Sequence, residues 1–187
     1  YGKDFGSFQF GEIIQTSAIQ RLYVGGNAIK SISNICKGLI SSQLLRVLEL
    51  KSNYLGDDAI LEVVKALQQN ESLHTLDLSG NSFSNKGGKA IATLLHPDKK
   101  KALRRLYINY NSIGDTVGME ICSNIISAAT LVECGMYACG FALKTAEMVD
   151  MLKTSDKLVH VQLGGNMGYE KSDVTSLEAQ LKLNREN

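Results

Sequence analysis

The chain has 187 residues, of which 44% are hydrophobic and 21% charged, and its formal net charge is +1. A nearly neutral chain without a dense basic stripe has no general attraction for polyanions, which argues against a nucleic-acid-binding protein. No apolar run reaches 18 residues, so we expect no membrane-spanning helix, and the chain opens on polar and aromatic residues rather than on a signal peptide.

A pattern of leucines and one asparagine recurs along the chain. Its clearest copy starts at Leu73, with leucine again at 76 and 78, asparagine at 81 and an apolar residue at 83. Six copies align on the asparagine position, which is occupied in chain order by Asn27, Asn53, Asn81, Asn111, Cys139 and Asn166. These positions are 26, 28, 30, 28 and 27 residues apart. Such a period predicts a repeat array, in which each unit packs on its neighbours and the stack forms one body.

Each repeat is predicted to contain a short strand over the leucine pattern and a helix after it, because the following apolar residues recur at helical spacing. The predicted helices span residues 31–40, 58–69, 86–95, 116–127, 145–153 and 173–183. Asp57 or Asp58 is expected to cap the second of these helices. Residues 1–18 are interpreted as an N-terminal cap or the remnant of an earlier repeat, and residues 19–187 as the six repeats.

The 30-residue spacing is assigned to an outward bulge over residues 97–101. This bulge contains the longest basic run, Lys99 to Lys101, which we interpret as a solvated loop. The alternative is a patch on which a partner docks.

The repeats resemble the ribonuclease-inhibitor type of leucine-rich repeat, because Gly-Asp follows the apolar residue at Leu55 and again at Ile113. The same repeat type occurs in ribonuclease inhibitor, in nucleotide-binding immune receptors, in the Ran GTPase-activating protein and in tropomodulins. The resemblance implies an α/β right-handed solenoid, a horseshoe segment with parallel strands on the concave face and helices on the convex face. The asparagines are expected to form a ladder of bonds to backbone groups, which Cys139 is expected to break.

Histidine and cysteine are too scattered to predict a metal site or a catalytic centre. The histidines fall on strands three repeats apart and at one helix end on the other side: His74, His160 and His96. The cysteines fall at inward or helix-core positions without a zinc-ligand spacing: Cys36, Cys122, Cys134 and Cys139. We therefore predict a non-enzymatic protein with no catalytic residues, no metal and no cofactor. Cysteines inside repeats, rather than in paired end modules, favour a reducing, cytoplasmic location.

Side chains alternate along a strand, so the residues that project from the concave face can be read from the alignment. Four of the seven tyrosines fall on this face, three of them in repeats four and five. Tyrosine and arginine dominate protein interface energetics. We therefore predict a partner-binding face centred on repeats three to five, formed by Glu49, Asp77, Arg104, Arg105, Tyr107, Asn109, Tyr110 and Tyr137.

Two details of this face follow from the alignment. Gly135 lies beside Tyr107 and is expected to leave a notch. Arg105, Glu133 and His160 are expected to be cross-strand neighbours that can pair with one another.

The leading hypothesis is a non-enzymatic scaffold, either complete or a fragment of a larger protein, that binds an unidentified protein partner on the concave face. It includes no nucleic acid, no membrane and no small-molecule substrate. The alternatives are a GTPase-activating protein resembling that for Ran, a tropomodulin-like actin-binding module, and an ordinary solvated concave surface whose partner binds elsewhere.

Overall fold

The computed structural model describes residues 5–96 and 102–186, so the bulge predicted over 97–101 lies outside the described residues. Six strands of three residues form one parallel sheet in chain order. The strands are β1 Arg21–Tyr23, β2 Val47–Glu49, β3 Thr75–Asp77, β4 Arg105–Tyr107, β5 Glu133–Gly135 and β6 His160–Gln162. The helices are α1 Phe5–Thr16, α2 Ser33–Ser41, α3 Gly56–Leu67, α4 Asn85–Leu95, α5 Asp115–Ser127, α6 Thr145–Leu152 and α7 Lys171–Glu186.

Strand and helix alternate through the chain, which confirms the predicted α/β solenoid. Helices α2 to α7 each begin within two residues of the predicted start. Strands stack about 4.8 Å apart, whereas helices pack about 8–10 Å apart, so the stack bends toward its strands. The outward-facing side chains of the strands therefore line the concave face.

Residues 5–16, at the position interpreted as a cap or an earlier repeat, form α1, which packs against α2. The two helices approach closely at Gly11 and Gly38. A Cβ atom at Gly38 would lie 2.7 Å from the carbonyl oxygen of Gly11.

The central residue of each strand contributes to one layer of the core. Leu48, Leu76 and Leu106 are fully buried at equivalent positions, and Cys134 takes the same place in β5. Burial of this size is worth about 1.5–3 kcal/mol for each large apolar side chain. The consensus positions therefore account for the fold and contribute no side chain to the concave surface.

The asparagines form the predicted ladder. At Asn81, Oδ1 accepts hydrogen bonds from the backbone N–H groups of Asn53 and Leu55, at 3.1 and 3.4 Å. Its Nδ2 donates to the carbonyl oxygens of Leu50 and Leu78, at 3.0 and 2.9 Å. Each rung from Asn53 onward thus pairs backbone groups of two successive turns that would otherwise be buried without partners, whereas Asn27 is exposed and donates to the carbonyl oxygen of Gly25 in its own turn.

The prediction that Cys139 breaks this ladder is wrong. Its Sγ donates to the carbonyl oxygen of Ile108 at 3.2 Å and accepts from the N–H of Asn111. The N–H groups of Cys139 and Phe141 donate to Oδ1 of Asn166. One sulfur atom thus performs, with weaker bonds, the task that an amide performs elsewhere.

The predicted cap on the second helix is also wrong, because neither aspartate caps its own helix. Asp57 Oδ1 accepts from the N–H groups of Ser84 and Gly87, at 2.8 and 2.7 Å, at the start of the next helix. Asp58 instead forms an exposed ion pair with Lys86. Asp57 therefore fixes one repeat against the following one.

Candidate protein-binding face

The eight residues predicted to bind a partner lie on or beside four adjacent strands. Tyr107, Asn109, Tyr110 and Tyr137 are brought together on repeats four and five. Strand register sets Glu49 opposite Asp77, and Asp77 opposite Tyr107. Arg104 immediately precedes β4 and is exposed at the edge of the sheet.

Three neighbouring side chains on this face are bonded to one another. Arg105 Nε donates to Glu133 Oε1 at 2.8 Å, and the hydroxyl of Tyr107 donates to Glu133 Oε2 at 2.6 Å. The predicted pairing of Arg105 with Glu133 is confirmed, whereas His160 adds only its charge nearby. This network leaves Arg105 and Tyr107 engaged within the protein.

The network also changes the protonation of its members. Burial raises the pKa of Tyr107, and its hydrogen bond to the Glu133 carboxylate raises it further. Burial opposes the charge of Glu133, but the hydrogen bonds from Arg105 and Tyr107 hold the pKa of Glu133 below its ordinary value. At neutral pH the tyrosine is therefore a neutral donor to an ionised carboxylate.

The notch predicted at Gly135 is absent among the described residues, because neighbouring side chains fill it. A Cβ atom at Gly135 would lie 2.8 Å from Asn109 Nδ2 and 2.9 Å from the Cδ1 ring carbon of Tyr107. Asn109 is fixed there, since its Oδ1 accepts from the N–H of Tyr137 at 2.7 Å and its Nδ2 donates to Ser79 Oγ at 3.3 Å. Gly135 thus provides space for two side chains to lie against the sheet.

Tyr110 and Tyr137 form an exposed aromatic pair, here called the tyrosine platform. Their ring centroids are 5.2 Å apart and their planes are tilted by 53°. Tyr110 is 62% exposed and Tyr137 is 39% exposed. Tilted pairs at this distance are a favoured aromatic geometry.

Two glycines of the sixth repeat support this platform from below. A Cβ atom at Gly164 would lie 2.8 Å from ring carbon Cε2 of Tyr137, and one at Gly165 would lie 2.7 Å from ring carbon Cε1. The ring therefore rests on a surface that any side chain would obstruct. This support of the Tyr137 ring was not predicted from the sequence, although the alignment does set Gly164 beside Tyr137.

The backbone of Tyr110 adopts a left-handed conformation, with φ of 55°. The equivalent residues of the other five repeats are also left-handed: three are glycines with φ between 63° and 71°, Gly26, Gly80 and Gly165, and two are small residues, Ser52 and Ala138, with φ of 56° and 50°. The left-handed turn is therefore a feature of the repeat, and a bulky residue in that conformation is uncommon and strained. Tyr110 occupies a position that glycine would fill at lower energy.

The acidic side of the face is partly compensated. Glu49 Oε1 pairs with Lys51 Nζ at 2.8 Å, and this hydrogen bond, followed by the carboxylate charge, raises the pKa of Lys51. Asp77 Oδ1 accepts from the backbone N–H of Ser79 at 2.9 Å. The predicted acidic strip of Glu49 and Asp77 is therefore less negative than the sequence suggests.

Three further functional features concern the described residues: metal-ligand clusters, reactive cysteines and membrane-spanning helices. Within 5–96 and 102–186, no group of three or more His, Cys, Asp or Glu side chains is placed to hold a metal ion. Burial raises the pKa of the Cys36, Cys122 and Cys139 thiols to about 12, so little thiolate is available for nucleophilic attack. In the same part of the chain, none of the helices is both long and apolar enough to span a membrane.

Comparison with known proteins agrees with the repeat architecture. A family model described as Leucine Rich repeat matches residues 69–92. A Tonsoku-like protein from Bos taurus is 30% identical over 111 residues, and the NACHT, LRR and PYD domains-containing protein 3 of Rattus norvegicus is 29% identical over 153 residues. The chain is a leucine-rich repeat protein.

The aligned parts are small fractions of these two relatives. They cover 59% and 79% of this leucine-rich repeat chain, but only 8% of the Tonsoku-like protein and 15% of the rat protein. What those proteins do as wholes is therefore no evidence for what this chain does.

Two solved structures share the fold over nearly their full lengths. A structure titled Leiomodin-1 Actin-Binding Site 2 superposes with a TM-score of 0.64 at 16% identity, covering 100% of this chain and 94% of its own. The tropomodulin C-terminal domain of Caenorhabditis elegans gives a TM-score of 0.63 at 9% identity, covering 96% and 93%. At these identities the likeness concerns the fold alone.

Proposed function

We propose that this chain is a non-enzymatic protein-interaction module that binds a partner protein on the concave face of repeats four and five, with the tyrosine platform as the central contact. One observation carries the proposal: Tyr110 and Tyr137 are exposed yet held in one geometry. Tyrosine is enriched at the energetic centres of protein interfaces.

Rigidity is the physical reason why these tyrosines suit binding. Ordering a mobile side chain at an interface costs about 0.5–1.5 kcal/mol. The backbone of Tyr137 is bonded to Asn109 and its ring rests on Gly164 and Gly165, so part of this cost is met for Tyr137 in the free protein. The Tyr107–Glu133–Arg105 network beside the platform has its polar groups engaged and suits the rim of a contact.

Exchanging Tyr110 for glycine tests this site. Tyr110→Gly removes the ring while giving the backbone the residue that three other repeats use. Tyr54→Gly is the matched control, because Tyr54 has φ of 59°, is 72% exposed and lies two repeats away.

The partner is isolated by affinity capture on the unchanged chain, and its Kd is then measured for both variants. We expect Tyr110→Gly to weaken the complex about tenfold or more, which corresponds to about 1.4 kcal/mol. Tyr54→Gly should change the Kd less than about twofold. Equal effects of the two substitutions would exclude the platform as the contact.

Actin is a second candidate partner, favoured by the leiomodin-1 structure, whose title names an actin-binding site. Fluorescence titration of labelled monomeric actin with the chain tests it. Saturable binding that Tyr110→Gly weakens and Tyr54→Gly leaves unchanged would support actin. Absence of saturable binding would remove it.

The GTPase-activating alternative stays a prediction. Single-turnover hydrolysis of GTP by Ran, measured with and without the chain, tests it. An unchanged hydrolysis rate would exclude that activity.

Three broader assignments belong to the same proposal. We propose that the repeats are of the ribonuclease-inhibitor type, supported by helices of 8–16 residues in every repeat. Residues 1–18 would be the end of an earlier repeat or a cap, supported by the packing of α1 on α2. A cytoplasmic, reducing location is supported by four buried cysteines that all remain free thiols.

A further inference from the structure

Three basic side chains occupy one position in successive repeats. Arg46, His74 and Arg104 each immediately precede a strand, β2, β3 and β4 respectively. The N–H of His74 donates to the carbonyl of Arg46 at 2.9 Å, and the N–H of Arg104 donates to the carbonyl of His74 at 2.8 Å. Neighbouring strands lie about 4.8 Å apart, and like charges set side by side at that spacing are unfavourable. We call these three residues the basic rim.

No carboxylate in the described part of the chain neutralises the basic rim. Arg46 Nη1 donates to two uncharged groups, the carbonyl oxygens of Gln43 and Ser72, both at 3.0 Å. Within residues 5–96 and 102–186, the side chains of His74 and Arg104 form no hydrogen bond or ion pair. The nearest arginine on β4, Arg105, already pairs with Glu133.

The uncompensated positive charge of the basic rim affects the pKa of His74. Burial lowers the pKa of His74, and the positive charges of Arg46, Arg104 and Arg105 lower it further. A bound anion would reverse the second effect, because a negative charge favours the imidazolium form.

We infer that the basic rim binds a carboxylate-bearing segment of the partner protein, with Arg104 and His74 as the contacting side chains and Arg46 as a fixed positive charge behind them. This inference rests on the proposed function and names the chemistry of the partner. The guanidinium of Arg104 can bind both oxygens of one carboxylate, and His74 can donate a further hydrogen bond.

The size and place of the rim favour a peptide segment over a nucleic acid. Nucleic-acid sites neutralise many phosphates, whereas the rim has three basic groups on a chain of net charge +1. Arg104 precedes β4 and Tyr110 follows it, six positions later, a span of at most about 20 Å at 3.3 Å per residue. One extended segment of the partner lying along β4 would reach both the rim and the tyrosine platform.

Side-chain NMR of the histidines tests the inference directly. The probe is a capped hexaglutamate peptide, with capped hexaglutamine as the uncharged counterpart. Hexaglutamate should shift the imidazole signals of His74 and raise its pKa, while His96 and His160 serve as internal references in the same spectra. Hexaglutamine should shift none of them.

Two charge-removing variants separate a site from general attraction. Arg104→Gln should weaken hexaglutamate binding about fivefold or more. Lys89→Gln removes the same charge from an exposed position on α4, on the convex side, and should change it less than about twofold. Equal weakening by both variants, or equal shifts at all three histidines, would overturn the inference. Tighter binding of inorganic phosphate than of hexaglutamate at His74 would overturn the carboxylate assignment.

These experiments can refute the basic rim and the tyrosine platform independently of each other. Hexaglutamate has carboxylates and no aromatic group, so its effect on His74 tests the basic rim separately from capture of the partner by the tyrosine platform. If partner capture depends on Tyr110 while hexaglutamate leaves His74 unshifted, the basic rim is refuted and the platform stands. If hexaglutamate binds at His74 while Tyr110→Gly and Tyr54→Gly affect capture equally, the platform is refuted and the carboxylate site stands.

Discussion

At the scale of single residues, the tyrosines of the candidate site were predictable and their support was not. Alternation along the strands is enough to bring Tyr137 to the concave face, and the alignment sets Tyr110 just beyond the last outward position of its strand. The left-handed backbone of Tyr110 and the support of the Tyr137 ring by Gly164 and Gly165 depend on three-dimensional packing. The prediction of a notch at Gly135 was wrong for the same reason. Protein interiors are closely packed, so neighbouring side chains fill the space that a glycine leaves.

The strain at Tyr110 predicts an unusual stability result. A left-handed conformation costs about 1–2 kcal/mol for a non-glycine residue. Tyr110→Gly relieves this strain but loses an aromatic contact worth about 0.5–1.5 kcal/mol and adds glycine entropy of about 0.5–1 kcal/mol. The free energy of unfolding in urea should therefore change by less than about 1 kcal/mol. A larger loss would mean that the ring is a structural element rather than a binding one.

Thr145 offers a second test at this scale. Its Oγ1 is buried and, within the part of the chain that the structure describes, has no hydrogen-bond partner. A buried hydroxyl without a partner is unfavourable, and valine has nearly the same shape. Thr145→Val should raise the free energy of unfolding by about 1 kcal/mol. Thr93→Val, on an exposed hydroxyl that bonds to the carbonyl of Lys89, should not raise it, and a destabilised Thr145→Val would show that the hydroxyl is satisfied.

At the scale of elements, polar side chains at helix starts join one repeat to the next. Asp57 binds the start of α4, Asn85 accepts from the N–H of Gly114 before α5, and Asp115 accepts from the N–H of Ala142 before α6. The sequence predicts a cap at Asp57 from the residue type alone. Which helix it caps depends on repeat stacking, which local sequence rules do not contain.

This arrangement makes stability depend on pH through Asp57. Burial raises the pKa of Asp57, but the hydrogen bonds from Ser84 and Gly87 lower it overall. A carboxyl whose folded pKa is depressed stabilises the fold fully above its unfolded pKa of about 3.9, and the effect is lost as pH falls through the folded pKa. Asp57→Asn should therefore destabilise the chain by about 1 kcal/mol at pH 7, and by progressively less below pH 4.

The neighbouring aspartate supplies the control for this measurement. Asp58→Asn makes the same chemical change on the same helix, in an exposed ion pair with Lys86. Exposed pairs contribute little, so its effect at pH 7 should stay below about 0.5 kcal/mol. Urea unfolding of both variants at pH 7 and pH 3 measures the difference. A gap between Asp57→Asn and the unchanged chain that persists at pH 3 would contradict the assignment.

At the scale of the whole molecule, the alignment of the repeats allows contacts between distant parts of the sequence to be predicted. Aligning six copies of one pattern predicts strand neighbours such as Asp77 and Tyr107 without any structure, and their register is confirmed. Arg104 was predicted to bind a partner, but its alignment with Arg46 and His74 was not predicted, because these residues lie outside the alternating strand positions. The same alignment, extended by one position before each strand, sets Arg46, His74 and Arg104 in line.

The cysteines report how the solenoid opens as a unit. All four are buried, and burial raises the pKa of every one of their thiols. Because reaction needs an accessible thiolate, Ellman's reagent at pH 8 should label the native chain slowly and all four positions rapidly in urea. Rapid labelling of any cysteine in the native chain would reveal a repeat that opens independently.

The central claim is that the partner docks on the tyrosine platform, and site-specific photocrosslinking tests it most directly. Benzoylphenylalanine replaces Tyr110 in one preparation and Tyr54 in another, and each is irradiated with the captured partner. Both positions are exposed and left-handed, so they differ chiefly in their place on the solenoid. We expect a covalent complex from position 110 and little or none from position 54. Crosslinking from position 54 alone, or equally from both, would contradict it.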